Sequence, residues 1–234
     1  MTAKHKRSGM FVLVGGAEFG PGCQEFDAEL LARSQAEEVV VLPTAAAFEH
    51  PDRLGEHAAE YFDGLGARAR SLGVLHRGEA EDAENAELVR AAKFVYLTDG
   101  SPLHLRSVLK DSALFDALLS CYHGGGVLAA SGAGATVLCD PMVDPRGGAY
   151  TVGLGVVRNL AVFPYHGTAA DHLRERSIDL LPKNATLVGI DEATALLHDA
   201  DGGWEVGGAG EVTVYGAGAP RAHRSGTTVE DLPD

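Results

Sequence analysis

At 234 residues, 45% of them hydrophobic and 22% charged, the chain has enough apolar material for one sizeable core and the composition of an α/β protein. Its net charge of −14 and pI near 5.1 argue against nucleic acid and anionic membrane surfaces as partners, because a phosphate layer would repel it. The three cysteines, Cys23, Cys121 and Cys139, have no CxxC spacing, so neither a disulfide framework nor a zinc knuckle is indicated and a reducing cytoplasm fits best.

Lys4, Lys6 and Arg7 precede the apolar run Met10 to Val14, which is too short for a signal-peptide core or a membrane span. Residues 1–9 are therefore expected to be a flexible tail. Phe11 to Val14 reads as a buried strand ending at Gly15-Gly16, followed by a helix over Glu25 to Ser34 with Phe26, Leu30 and Leu31 on one side. Glu38 to Leu42 is a β-branched run stopped by Pro43. Pro51 to Leu65 has helical spacing, Ala69 to Leu75 is a weaker strand, and the acidic stretch Glu79 to Glu87 reads as a solvated helix start.

Phe94 to Thr98 is the next strand, ending at Asp99-Gly100-Ser101-Pro102, and Leu105 to Leu119 reads as one long helical region, with Cys139 on a later helix. Val127 to Ala130 then runs into the tiny residues Ser131-Gly132-Ala133-Gly134-Ala135, a strand, tight turn and helix start of the kind that holds a nucleophile on a sharp elbow. Continuous apolar runs alternating with helices imply a doubly wound, mostly parallel sheet sandwiched by helices. Ligands in such sheets bind beyond the carboxyl ends of the strands, where Gly16, Asp99, Gly100, Ser131 and Gly132 fall.

The last third differs. Thr151 to His166 is apolar with interspersed glycines, a helix is expected over Ala169 to Leu181, and the segments around Leu187, Ala195, Trp204 and Val212 read as a small antiparallel C-terminal portion. Residues 10–218 are expected to form a single domain and 219–234 a polar, disordered tail. Gly15-Gly16-Ala17-Glu18-Phe19-Gly20 departs from a dinucleotide fingerprint, and the histidines lack metal-ligand spacing, so no cofactor and no metal is expected.

Several landmarks in order carry a resemblance: Val14-Gly15-Gly16-Ala17-Glu18, Leu42-Pro43-Thr44-Ala45, Tyr96-Leu97-Thr98-Asp99-Gly100, the elbow with Asp140-Pro141-Met142, the segment reaching His166, and Gly189-Ile190-Asp191-Glu192-Ala193-Thr194-Ala195. From Phe11 to about Tyr215 the chain resembles the S51 peptidases, the family of cyanophycinase and aspartyl dipeptidase (peptidase E), which share the class I glutamine amidotransferase-like, flavodoxin-like fold. The resemblance implies an elbow serine attacking an amide, a histidine base at His166 and an orienting acid at Glu192. It places oxyanion and substrate contacts at Asp99, Gly100, Ala133 and Gly16.

The serine itself has two placements. Matching Ala133-Gly134-Ala135 to the family's Ala-Gly-Ala without a gap puts Gly132 at the nucleophile position, and this also aligns Val137-Leu138 and Asp140-Pro141. A shifted match puts Ser131 there, although residues one apart on a strand point to opposite faces. Ala170 and Glu175 stand where cyanophycinase-type members carry arginines after the histidine, so an Asp-recognising pocket is not implied. Two functional readings follow: a non-peptidase relative that keeps the pocket for a small peptide or acidic metabolite, or an active hydrolase using Ser131, His166 and Glu192. A homodimer is compatible with either.

Overall fold

Side chains of the central strands alternate between two apolar layers, each covered by helices. The computed structural model describes residues 9–199, 203–216, 218–230 and 232–233. The strands β1 (Met10–Val14), β2 (Glu38–Leu42), β3 (Arg68–Ser71), β4 (Phe94–Leu97) and β5 (Val127–Ser131) are parallel and lie in the order β1-β5-β4-β2-β3.

Val12, Val14, Val39, Val41, Phe94, Tyr96, Val127 and Ala129 share one layer with helices α1 (Gln24–Ser34) and α2 (Pro51–Gly64). Phe11, Leu13, Val40, Leu42, Val95, Leu97, Leu128 and Ala130 share the other with α3 (Arg77–Ala80), α4 (Ala83–Ala91), α5 (Pro102–Leu109), α6 (Ala113–His123) and α7 (Ala133–Leu138). A two-residue period with both faces buried is what produces continuous apolar runs in the sequence.

The helical region expected over Leu105 to Leu119 is two helices. Asp111 takes a left-handed φ of 57°, and the Ser112 hydroxyl accepts from the Phe115 amide at 3.0 Å, which caps α6. The weak strand expected over Ala69 to Leu75 is the shorter β3. Cys139 lies not on a helix but in β6 (Cys139–Asp140), the first of the two-residue strands β6, β7 (Met142–Val143), β8 (Tyr150–Thr151) and β9 (Val157–Arg158), paired β6 with β9 and β7 with β8.

A second sheet begins with β10 (Leu160–Phe163), which is followed by α8 (Asp171–Asp179) and pairs in parallel with β11 (Thr186–Ile190). The strands β12 (Thr194–Asp199) and β13 (Gly203–Gly208) extend the main sheet antiparallel from β1, and β14 (Glu211–Tyr215) joins β11. The antiparallel C-terminal portion is thus present but divided between two sheets.

Residues 219–234 are not a disordered tail where they are described. β15 (Arg221–Arg224) pairs with β14, β16 (Thr228–Val229) pairs with β13, and the Trp204 indole donates to the Pro233 carbonyl at 2.9 Å. The polar sequence Arg-Ala-His-Arg hides β15 because its order comes from ladder hydrogen bonds to β14 rather than from an apolar face. The expected tail at residues 1–9 lies outside the described residues except for Gly9, whose amide donates to the Tyr122 carbonyl at 2.7 Å. No helix among the described residues is long and apolar enough to cross a membrane.

Asp27 of α1 is wholly buried. The Tyr61 hydroxyl donates to its Oδ2 at 2.8 Å, while Oδ1 has no hydrogen-bond partner. Loss of hydration pushes this carboxyl up from 3.8 to about 7. The folded state then binds the proton better than the unfolded chain, so the stability this group lends is complete below 3.8 and is lost as the pH rises through about 7. Asp27→Asn is expected to flatten that loss and to leave the variant on the order of 3–4 kcal/mol more stable than the parent in mildly alkaline buffer. Denaturant unfolding compared between acid and alkaline buffers measures it; equal pH slopes for both proteins would refute the assignment.

Candidate functional site

The loops that follow β1, β4, β5 and β10 converge at the carboxyl edge of the parallel strands, the edge where ligands bind in this architecture. Non-glycine residues with left-handed φ gather in these loops and in the one after β11: Ala17 at 54°, Phe19 at 60°, Tyr165 at 53° and Ala193 at 49°. Backbone held in this sparsely populated region marks segments that the surrounding packing over-determines.

β5 ends at Ser131 and α7 starts at Ala133, so Gly132 alone reverses the chain. Its φ of 49° and ψ of −107° suit glycine and strain any other residue. The turn is pinned by the Gly132 amide donating to the Val14 carbonyl at 2.9 Å, and by the Thr136 amide and hydroxyl donating to the Gly132 carbonyl at 3.0 and 2.9 Å.

Above this turn sits the carboxylate of Asp99. Its Oδ1 accepts from the Ala133 amide at 2.6 Å and from the Gly100 amide at 2.7 Å, and its Oδ2 accepts from the Tyr165 hydroxyl. A Cβ built on Gly132 would overlap this carboxylate, and a Cβ on Gly16 would overlap the Tyr165 ring. The structure therefore brings Asp99, Gly100, Gly132, Ala133 and Gly16 into one cluster.

Ser131 faces elsewhere. It shares the side of β5 occupied by Val127 and Ala129, toward α1 and α2, and it is wholly buried. Its hydroxyl donates to Glu18 Oε2 at 2.7 Å, while Glu18 Oε1 accepts from the Asp99 amide at 2.9 Å. Burial raises the Glu18 carboxyl above its usual range despite these donors, with the nearby Asp99 charge adding to the rise. The strand-face rule thus applies without a shift of the turn, and the Ser131 hydrogen bond goes to Glu18 rather than to His166.

His166 follows β10 and has both ring nitrogens engaged. Nδ1 lies 3.4 Å from Asp191 Oδ1, and Nε2 lies 2.7 Å from the Tyr215 hydroxyl. Loss of hydration lowers the imidazole below its ordinary value, opposed by the Asp191 charge. The Glu211 amide donates to Asp191 Oδ2 at 3.0 Å and so holds that carboxylate in place.

The acid beside the ring is therefore Asp191, where the resemblance placed Glu192. Gly189 lies under the His166 ring, and residues two apart share a strand face, so Asp191 continues that side and Glu192 does not. Glu192 instead offers its carbonyl to the Thr194 hydroxyl at 3.0 Å.

Two hollows share Asp99, Gly100 and Tyr165. One is a cavity of about 270 Å³ bounded by Phe163, Leu173, Val143 and Asp144; the other is an open polar groove bounded by Glu18, Glu49, His50, Arg53 and His57. Among the described residues no group of three or more His, Cys, Asp or Glu side chains is arranged to hold a metal ion.

Sequence reasoning overlooked the contacts of Glu18, Tyr165, Asp191 and Tyr215. Glu18 and Asp191 stand inside the landmark segments and Tyr165 adjoins His166, so proximity to the motifs was a usable signal. Tyr215, on β14, had none, because a sheet pairing brings it to His166.

A doubly wound sheet with a small-residue elbow, paired amides beside it and a histidine–carboxylate couple beside the second sheet defines an α/β protein with an elbow-type site. Within that class the chain belongs to peptidase family S51, whose family model matches residues 11–203. It is 26% identical over 219 residues to a cyanophycinase of Trichormus variabilis, covering 87% of this chain and 72% of that one. It is also 26% identical over 232 residues to a cyanophycinase of Synechococcus elongatus, covering 91% and 70%. Among solved structures, a peptidase from an acI-B1 Actinobacterium superposes with a TM-score of 0.87 at 28% identity, over 96% of this chain and 98% of that chain. A putative peptidase E protein from Listeria monocytogenes gives 0.63 at 15% identity, over 93% and 98%, which shows a shared fold. The mostly parallel sheet between helices is the flavodoxin-like, glutamine amidotransferase-like architecture of these neighbours.

Replacing Ser131 by alanine removes a donor from a buried carboxylate, so Ser131→Ala is expected to lower stability by about 1–3 kcal/mol. Denaturant unfolding measures this, and a stability equal to the parent's would show that the Ser131–Glu18 bond contributes nothing.

Proposed function

We propose that this S51-family protein is a non-hydrolysing, small-ligand-binding relative of the peptidases, with Gly132 at the nucleophile position. The observation that carries this reading is the Asp99 carboxylate seated on the Gly100 and Ala133 amides, in the space a side chain at position 132 would need. An oxyanion hole works by aiming preorganised donors at charge that develops during reaction. Here the donors are already occupied by the Asp99 carboxyl oxygen.

The remaining parts support the same reading. A histidine base must reach the proton it abstracts, yet His166 directs Nε2 at Tyr215 and Nδ1 at Asp191. Ser131 is buried against Glu18, which speaks against the alternative of a Ser131 hydrolase. The hollows beside Asp99 are of a size for a short peptide or a metabolite. The net charge of −14 speaks against nucleic acid and anionic membrane as partners, and three free cysteines without CxxC spacing support a reducing, cytoplasmic setting.

Gly132→Ser alone is expected to lose stability and to remain inert, because its Cβ meets the Asp99 carboxylate and its backbone is strained. Combining Gly132→Ser with Asp99→Gly frees the space and both amides. The double variant is expected to react with a fluorophosphonate probe and to cleave an activated ester about 100-fold faster than the parent. Hydrolysis of Asp-X or isoaspartyl dipeptides by the parent protein, or probe labelling at Ser131, would overturn the reading.

A further inference from the structure

The cavity beside Asp99 differs in character from the groove on the other side of Tyr165. Its wall is built from Pro102, Val143, Phe163, Pro164, Ala169 and Leu173, at the start of α5, on β7, on β10 and its following loop, and on α8. The charged side chains that line it are Asp99 and Asp144, both acidic, and no Lys, Arg or His lines it.

These two acids differ in how their charge is met. Asp99 is satisfied by neutral donors, two amides and a hydroxyl, with no cationic side chain among these partners. Asp144 is paired with Arg146, whose Nε and terminal nitrogen donate to its two oxygens at 2.9 and 2.6 Å, and Arg146 itself stays outside the cavity lining. That pairing holds the Asp144 carboxyl below its usual range and therefore ionised. An apolar wall whose only charged lining side chains are acidic favours a ligand that combines a hydrocarbon body with a cationic head. A carboxylate-bearing ligand would meet like charge at both charged side chains of this lining.

We propose that this cavity binds an organic ammonium with a compact apolar body, its cation drawn by the acidic lining residues Asp99 and Asp144 and its hydrocarbon packed by Phe163, Leu173 and Val143. The assignment rests on the non-hydrolysing reading, since it takes the Asp99 carboxylate in its present seat as part of the binding site. A volume of about 270 Å³ fits one amino-acid-sized group and not a folded segment. Two sources share this chemistry: a free amine, and the amino-terminal apolar residue of a peptide. The acidic metabolite expected from the sequence does not suit this cavity.

Calorimetric titration of the full chain with 2-phenylethylammonium tests the proposal. Binding is expected, with 3-phenylpropionate and ethylammonium each at least about tenfold weaker, since one reverses the charge and the other lacks the apolar body. Ala169→Phe, which fills the cavity from a partly exposed position, is expected to abolish binding, and Asp144→Asn to weaken it about three- to tenfold. Thermal melts of both variants verify that they remain folded. Phenylalanyl-glycine amide distinguishes the sources: tighter binding than the simple amine supports a peptide amino terminus, and weaker binding supports a free amine. Equal affinity for the carboxylate analogue, affinity unchanged in folded Ala169→Phe, or no binding of either ammonium ligand would overturn the proposal. Hydrolysis of the dipeptide amide would instead overturn the non-hydrolysing reading, while its binding would still report on the cavity.

Discussion

The carboxylate of Asp99 rests on two backbone amides, one from the turn after β4 and one from the first residue of α7, and the geometry of the site depends on that seat. Charge-assisted hydrogen bonds of this kind are stronger than neutral ones, and here they also satisfy an amide that a helix start leaves without a partner. Position 132 has no room for a Cβ because the carboxylate is there, and Tyr165 reaches Asp99 because Gly16 leaves space for its ring. Glu18 completes the arrangement from below by accepting the Asp99 amide and the Ser131 hydroxyl. The turns after β1, β4, β5 and β10 are thereby tied to one residue, through the Asp99 side chain and its backbone amide.

The central sheet decides which side chains can take part. Because both faces of the parallel strands are buried, strand parity assigns each residue to a helix layer, and Ser131 follows Val127 and Ala129 toward α1 and α2. The same parity at the end of β11 brings Asp191, and not Glu192, to His166. A one-residue offset changes the chemistry completely in both places, since neighbours in an extended chain point to opposite sides. The proposed binding function follows from these offsets as much as from the identity of any residue.

Much of the fold was legible in the residues because it rests on local pattern. The β-branched runs ending at Leu42 and Leu97, the helical spacing of Phe26, Leu30 and Leu31, and the small residues from Ser131 to Ala135 each correspond to an element near the expected place. The break between α5 and α6 was hidden because apolar spacing continues across Asp111, whose left-handed backbone is a matter of conformation rather than hydropathy. β15 was hidden because Arg221 to Arg224 has no apolar periodicity, and a sheet partner supplies its order.

The sequence by itself determined the layered α/β architecture, the small-residue elbow, and the membership of a peptidase family, because these depend on periodicity, residue size and ordered motifs. Only the tertiary structure decided that Asp99 fills the paired amides, that Ser131 serves Glu18, and that Asp191 and Tyr215 hold His166. Apart from the adjacent Gly100 amide and the 25 positions between His166 and Asp191, those contacts join residues from 34 to 113 positions apart in the chain. Separations of that length are set by how strands pair and loops converge, and no local pattern encodes where two such side chains meet.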